Sequence, residues 1–341
     1  ERTAGFDTGR DEAMSGGDFN YSQAQLEAPT LGERRVRSPL RLSTTVGDGV
    51  CDFTDENLRI PLEPRFRVGE PTIPLALQLA GPREQIYFDP AKTKAAIVTG
   101  AGAGIGLAIA GRLADEGARV LCADINAEAA QAAASAIGGG AVAHRVDVSD
   151  EDQVIAMVQA CVAAFGGVDK LVANAGVVHF APLLETTVED FDRIIRVNLR
   201  GAWLCTKHAA PRMIERGGGA IVNMSSLGGL VGAAGTSAYG MSKAGIVHLS
   251  RITAAELRSA NIRSNALLPA FVDTPMQQTA MTMFDEALGE GGATGMIGRL
   301  QGRMAGPEEM AGVVAFLLSD DASMVNGTAQ LADGGTLAAL W

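Results

Sequence analysis

The chain predicts an α/β fold: a doubly wound parallel sheet with helices on both faces. Three observations carry that prediction. From Lys94 onward short apolar runs alternate with amphipathic segments, a pattern whose right-handed crossovers give a parallel sheet. The run Ala95-Ala96-Ile97-Val98 has the length and apolar character of a buried parallel strand. After it, Thr99-Gly100-Ala101-Gly102-Ala103-Gly104-Ile105-Gly106 leads into Ile105, Ile109 and Leu113 at helical spacing, so the glycines occupy a strand-to-helix turn.

Residues 1–92 differ in kind. They hold eight of the thirteen prolines, mixed-charge clusters such as Glu33-Arg34-Arg35, and no long amphipathic period. Extended pieces are expected around Ile73 to Leu79 and Gln85 to Phe88, but proline interrupts most candidates. This is read as an irregular, loosely ordered, Pro-rich extension unable to bury a core of its own, with a second domain over 93–341.

Within that domain, Arg119 to Ala123 reads as the next strand and ends at Asp124. Ala141 to Val146 follows, ending in Asp147-Val148. Leu171-Val172-Ala173 runs into Asn174-Ala175-Gly176, and one long helix is expected from about Val188 to Glu215. Ala220 to Met224 is a strand ending at Ser225-Ser226, a helix spans about Ser237 to Ser259, and Ile262 to Leu268 is another strand. Pro269 to Arg303 reads as a loop-rich segment, followed by a helix from Pro307 to Leu318 and a last strand at Thr328 to Ala332.

Composition narrows the function. A formal charge of −11 disfavours nucleic acid or an anionic membrane as partner. Cys51, Cys122, Cys161 and Cys205 lack metal-ligand spacing and suit a reducing, cytoplasmic compartment. The four histidines form no paired-ligand pattern, so no metal is expected. The first thirty residues are polar, no secretory signal is visible, and no apolar run approaches the roughly 20 residues of a membrane span. The missing initiator Met points to a processed chain or a piece of a longer reading frame.

Strand, glycine turn and helix together make half of a mononucleotide-binding unit. Glycine permits the turn and lets a pyrophosphate approach the main chain, where N–H groups at the helix start face the anion. Asp124 stands near the roughly 20-residue offset at which a carboxylate can grip the adenosine ribose hydroxyls. It would repel the extra phosphate of NADP, and Ala103 supplies no cation to neutralise that phosphate, so both positions favour NAD. A surface Asp capping the next helix is the structural alternative.

Chemistry points to Ser226, Tyr239 and Lys243. Tyr239 and Lys243 are four apart and share a helix face. An ordinary phenol, with a pKa near 10, is a poor acid or base at neutral pH, and a nearby ammonium would lower it. The phenol can then exchange a proton with a carbonyl or alcohol oxygen while hydride moves. Ser226, at the carboxyl end of a strand where open α/β sheets bind ligands, can hydrogen-bond the same oxygen.

On these residues, together with Asn174-Ala175-Gly176, Asn198 and Pro269 with Thr274, the chain from 94 to 341 resembles a classical short-chain dehydrogenase/reductase, a Rossmann-type fold. The resemblance implies Tyr239 as general acid/base, Ser226 as the substrate-oxygen donor, and Lys243 as both pKa modulator and nicotinamide-ribose ligand. Asn198 would hold a water in a proton relay. Thr99, Gly100, Gly104, Ile105, Gly106, Asp124, Asp147, Val148, Asn174, Ala175, Gly176, Pro269, Val272 and Thr274 would line the NAD site, with Asp147 and Val148 at the adenine and Thr274 at the carboxamide. It also implies a secondary alcohol or ketone as substrate, a Met-rich mobile lid between Thr274 and Arg303, and a homodimer or homotetramer. Ala270 replaces the usual glycine after Pro269, and its Cβ is expected to crowd the cofactor or resist an unusual backbone angle.

The extension carries a second resemblance. Pro82 to Pro90, continuing into Lys94 to Thr99, resembles the segment that leads into the nucleotide site of long-form ATP-dependent phosphofructokinases. Thr30 to Arg35 with Ser38-Pro39-Leu40 is similar to that enzyme's N-terminal region. No phosphofructokinase loop or catalytic aspartate motif follows Thr99, which implies a fusion joined within a shared strand. The competing functional reading is a non-catalytic nucleotide-binding scaffold, against which the intact Ser226, Tyr239 and Lys243 weigh.

Overall fold

The computed structural model describes residues 43–46, 49–52, 94–289 and 291–338. In the first of two compact units, β1 (Ser43–Val46) and β2 (Gly49–Asp52) pair antiparallel, Val46 opposite Gly49. Sequence reading passed over this hairpin, although the Gly-Asp-Gly after Val46 is a turn signal. The expected extended pieces at 73–79 and 85–88 and the phosphofructokinase-like stretches up to residue 93 lie outside the described residues.

In the second unit seven parallel strands run in the order β5-β4-β3-β6-β7-β8-β9. Their ranges are β3 (Ala95–Thr99), β4 (Arg119–Asp124), β5 (Val142–Arg145), β6 (Lys170–Ala173), β7 (Gly219–Met224), β8 (Ile262–Pro269) and β9 (Ala329–Ala332). All five β3 residues are buried, as expected for a central parallel strand covered on both faces.

Helices α1 (Gly104–Asp115), α2 (Ala127–Ile137) and α9 (Pro307–Leu318) cover one face, where Ile109, Leu113, Val314 and Leu318 pack on Val98, Val172 and Val222. Helices α3 (Glu151–Phe165), α5 (Gly201–Glu215) and α6 (Ser237–Leu257) cover the other. There Met157, Leu204, Met213 and Ile246 pack on Ile97, Leu171 and Ile221. Strand order reverses between β3 and β6, so a crevice opens at the carboxyl ends of these two strands, the position at which open α/β sheets take ligands.

Two elements differ from expectation. The long helix is interrupted: α4 (Val188–Ile194) passes into a π-helical segment, Ile195–Arg200, before α5. The loop-rich reading of 269–303 is overturned, because α7 (Pro275–Leu288) and α8 (Gly292–Leu300) occupy most of it. Gly289 to Gly292 masked the helical period, while Thr274 at the N-cap and Pro275 at the first helical position are standard start signals. Among the described residues no helix is long and apolar enough to cross a membrane, and no group of three or more His, Cys, Asp or Glu could hold a metal.

Candidate active site

The crevice is a cavity of about 280 Å³ between the glycine turn and the start of α6, with the start of α7 beside it. Its floor is built by the ends of β3 and β6. Thr99 Oγ1 donates to Val172 O at 3.3 Å and accepts from Asn174 N and Ala175 N at 3.0 and 3.1 Å. Asn174 Nδ2 donates to Thr99 O and Gly100 O at 2.9 and 3.2 Å, which ties the glycine turn to the neighbouring strand. A Cβ at Gly106 would lie 2.0 Å from Gly100 O, so close helix-strand approach requires glycine there.

Helices α2, α3, α4 and α7 begin with a side-chain cap from Asn126, Asp150, Thr187 and Thr274. Helix α1 has Ala103 at its N-cap position, with no side-chain cap and no acidic residue in its first turn. Its first N–H groups therefore face the cavity unpaired by side chains, and the residues fit an anionic dinucleotide.

Asp124 stands at one end of this turn. Its Oδ2 accepts from Gly102 N at 2.9 Å and its Oδ1 from Asn126 N at 2.9 Å, so it closes the glycine loop while lining the cavity. The cap of α2 is Asn126, not Asp124.

On the opposite wall, Lys243 is 5 % exposed, and its Nζ donates to Met224 O at 2.8 Å and lies 5.6 Å from the Tyr239 ring centroid. Burial pulls its pKa down to about 8. The expectation that this ammonium lowers the phenol is not met. Burial pushes Tyr239 above its ordinary value, and the hydrogen bond with Ser226 acts in the opposite sense. The ring keeps part of its surface open to the cavity, so solvent there tempers the upward push. Ser226 Oγ also accepts from Gly228 N at 3.2 Å, and Ser225 Oγ donates to Lys243 O at 2.8 Å, which fixes β7 to α6.

Asn198 lies in the π-helical segment, fully buried behind the wall. Single-turn π segments recur at functional sites. Its side chain bonds both backbone groups of Val177 and the Ser242 hydroxyl.

The cavity thus gathers Gly100, Gly104, Ile105, Gly106, Asp124, Asn174, Ala175, Gly176, Ser226, Tyr239, Lys243, Pro269, Val272 and Thr274. Thr99 and Asn198 support it from behind. Asp147 and Val148 do not line it: the Asp147 carboxylate accepts from Ser149 N and Oγ, and Val148 is buried where a Cβ on Gly201 would meet it. Sequence reading did not assign Ser225, Met224, Pro275 or Gln277 to the lining, though each lies within three residues of a motif residue, Ser226 or Thr274. Ala270 lines the cavity too, and its feared backbone angle is absent, because Asn261 alone among the described non-glycine residues has a positive φ. Cys122, Cys161 and Cys205 are buried away from this lining, with burial raising their thiols to about 11, 12 and 12, so none is a nucleophile at neutral pH.

The family model described as "Enoyl-(Acyl carrier protein) reductase" matches residues 100–336. The chain belongs to the short-chain dehydrogenase/reductase family. It is 44 % identical over 246 residues to the cis-4-hydroxycyclohexanecarboxylate dehydrogenase of Sinomonas cyclohexanicum, which covers 71 % of this chain and 96 % of that one. It is 41 % identical over 247 residues to the D-threitol dehydrogenase of Mycolicibacterium smegmatis, covering 71 % and 92 %. The solved 3-ketoacyl-(acyl-carrier-protein) reductase from Brucella melitensis, complexed with NADH, is 36 % identical, with a TM-score of 0.65 over 71 % of this chain and 98 % of that one. As a short-chain dehydrogenase/reductase the chain is an oxidoreductase, and its relatives act on alcohols and ketones.

Proposed function

We propose that the chain interconverts a secondary alcohol and its ketone with NAD(H), Tyr239 acting as general acid/base. The observation that carries this reading is the meeting of Ser226, Tyr239 and Lys243 on one wall of a cavity whose other wall is the uncapped start of α1. The dinucleotide, when bound, supplies or takes up the hydride. Tyr239 Oη gives a proton to the carbonyl oxygen as the ketone is reduced and takes it back as the alcohol is oxidised. Ser226 Oγ holds that oxygen by a hydrogen bond. Lys243 binds the nicotinamide ribose, and Asn198 orders a water that refills the proton on Tyr239. A phenol held above its ordinary value keeps its proton at neutral pH, which suits reduction, and oxidation gains as the pH rises.

Asp124 supports NAD over NADP, since its carboxylate stands where a ribose phosphate would bring further negative charge and, among the described residues, no cation lines that end of the cavity. We take residues 93–341 as the catalytic domain and 1–92 as a dispensable extension, in a cytoplasmic homodimer or homotetramer.

The test follows the absorbance of NADH with a panel that opens on 4-hydroxycyclohexanecarboxylate, D-threitol and a 3-ketoacyl thioester, with NADP(H) in parallel. Turnover in wild type that falls at least about a thousandfold in Tyr239→Phe, with NADH affinity kept, is the expected result. More than a few per cent of wild-type turnover in that variant removes Tyr239 from its role.

A further inference from the structure

The two ends of the glycine turn meet different partners. A Cβ at Gly102 would lie 2.9 Å from Asp124 Oδ2, whereas a Cβ at Gly104 would lie 3.1 Å from Thr274 Cγ2. Asp124 therefore marks one end of the cavity, and the first turn of α7 sits on the other. Thr274 Oγ1 accepts from Gln277 N at 3.1 Å, which fixes the Gln277 backbone at the cavity wall. The Gln277 side chain lines the cavity, and its Nε2 is fully enclosed with no hydrogen-bond partner among the described residues. A buried donor left unpaired is costly, and few native side chains are left so.

Charge sharpens the point. Among the described residues lining the cavity Lys243 is the sole cation, and its Nζ is bonded to Met224 O. A doubly charged diphosphate on the glycine turn would thus be held by neutral N–H donors, where each aligned donor to an ionised oxygen is worth more than a neutral pair.

We propose that Gln277 donates its side-chain amide to the phosphate of the dinucleotide that lies farther from the adenosine, making it a cofactor-positioning residue. This rests on the NAD(H) reading above. The same donor ties the start of α7 to the bound diphosphate, so it anchors the segment from Pro275 onward to the cofactor.

The experiment measures Kd by titration of the full chain, wild type, Gln277→Met and Gln277→Glu, with three probes: NADH, ADP-ribose, which carries the diphosphate without nicotinamide, and AMP, which lacks the distal phosphate. Gln277→Met keeps the side chain's bulk without the donor, and Gln277→Glu sets a carboxylate against the phosphate. The expected result is an affinity loss of about tenfold for both NADH and ADP-ribose in Gln277→Met, larger in Gln277→Glu, with AMP unchanged within about twofold. The thermal midpoint of unliganded Gln277→Met should match or exceed wild type, an outcome that a merely structural role would not give. Unchanged ADP-ribose affinity, or equal weakening of AMP, overturns the assignment. Wild-type protein that fails to bind NADH overturns the NAD(H) reading as well, whereas tight NADH binding shared equally by wild type and Gln277→Met sinks only the role of Gln277.

Discussion

The Asn198 side chain holds Val177 by both backbone groups: Oδ1 accepts from Val177 N at 2.8 Å, and Nδ2 donates to Val177 O at 2.9 Å. Nδ2 also donates to Ser242 Oγ at 3.1 Å, and Ser242 Oγ donates to Tyr239 O at 2.7 Å. One buried amide therefore joins the loop after β6 to the helix turn that carries Tyr239. Truncating the Asn198 side chain to a methyl group would take this partner from both Val177 backbone groups, at about 1–3 kcal/mol for each group left unsatisfied, while Ser242 Oγ keeps its bond to Tyr239 O.

Asn198→Ala should accordingly lower the unfolding free energy by about 2–4 kcal/mol and reduce kcat more than it raises KM. Asn198→Asp sets a carboxylate oxygen against Val177 O at a fully buried position and should lose at least as much stability. Urea titrations and steady-state kinetics measure both, and an Ala variant as stable as wild type would remove Asn198 from this bracing role.

Gly106→Ala should be far worse than Gly111→Ala, although both change a glycine of α1 to the best helix former. A Cβ at Gly106 would meet Gly100 O at 2.0 Å and Asn174 Nδ2 at 2.5 Å, while one at Gly111 meets nothing within 4 Å. The first must push the glycine turn off β6, and NADH affinity should fall at least about tenfold, or about 1.4 kcal/mol. The second should gain about 0.5–1 kcal/mol in stability. Equal NADH binding by the two variants would contradict the close-packing argument.

How far these features were legible in the sequence follows from which of them are local. The glycine turn, Asp124 and the Ser226-Tyr239-Lys243 set lie in short stretches whose spacing already states their geometry. The π-helical segment at Ile195–Arg200 leaves no periodic mark, because one added residue per turn is invisible against a noisy apolar pattern. Helix α8 was hidden by its glycines, which carry no side chain to show a face, whereas α7 has none and was missed despite its Thr274-Pro275 start signal. The direction of the Tyr239 shift depends on burial by residues distant in sequence, which spacing alone does not report.

Charge and shape at Asp124 are separable. Asp124→Asn can still accept from Gly102 N, yet it lacks the negative charge, whereas Asp124→Ala loses both. The Asn variant should narrow the kcat/KM preference for NAD over NADP by about tenfold or more while keeping activity with NAD. The Ala variant should narrow it as well and weaken NAD, since the glycine turn loses its brace. A preference unchanged in both variants would place the discrimination elsewhere in the cavity.

Stability should rise with pH between about 8 and 9, and Lys170 is one cause. It is 6 % exposed on β6, and its Nζ donates to Leu318 O at 2.6 Å at the end of α9, where Arg263 also donates to Leu317 O and Ser319 O. Burial, and then the neighbouring Arg263 charge, lower its pKa from 10.5 to about 8, and Lys243 is lowered to about 8 by burial. Above pH 8 the folded chain releases these protons while the unfolded chain keeps them up to about 10.5, so the unfolded state binds more protons and unfolding becomes less favourable as pH rises. Each lysine contributes at most about 1.4 kcal/mol per pH unit. Above pH 9 the buried thiols oppose the trend, because Cys122, Cys161 and Cys205 stay protonated in the folded chain after their unfolded counterparts ionise. Urea unfolding at pH 7.5, 8.5 and 9 should therefore show a rising midpoint in wild type and a shallower rise in Lys170→Met. If the midpoint falls over this range, or the slope is the same in the variant, the buried ammonium at Lys170 is not under the desolvation strain that its surroundings imply.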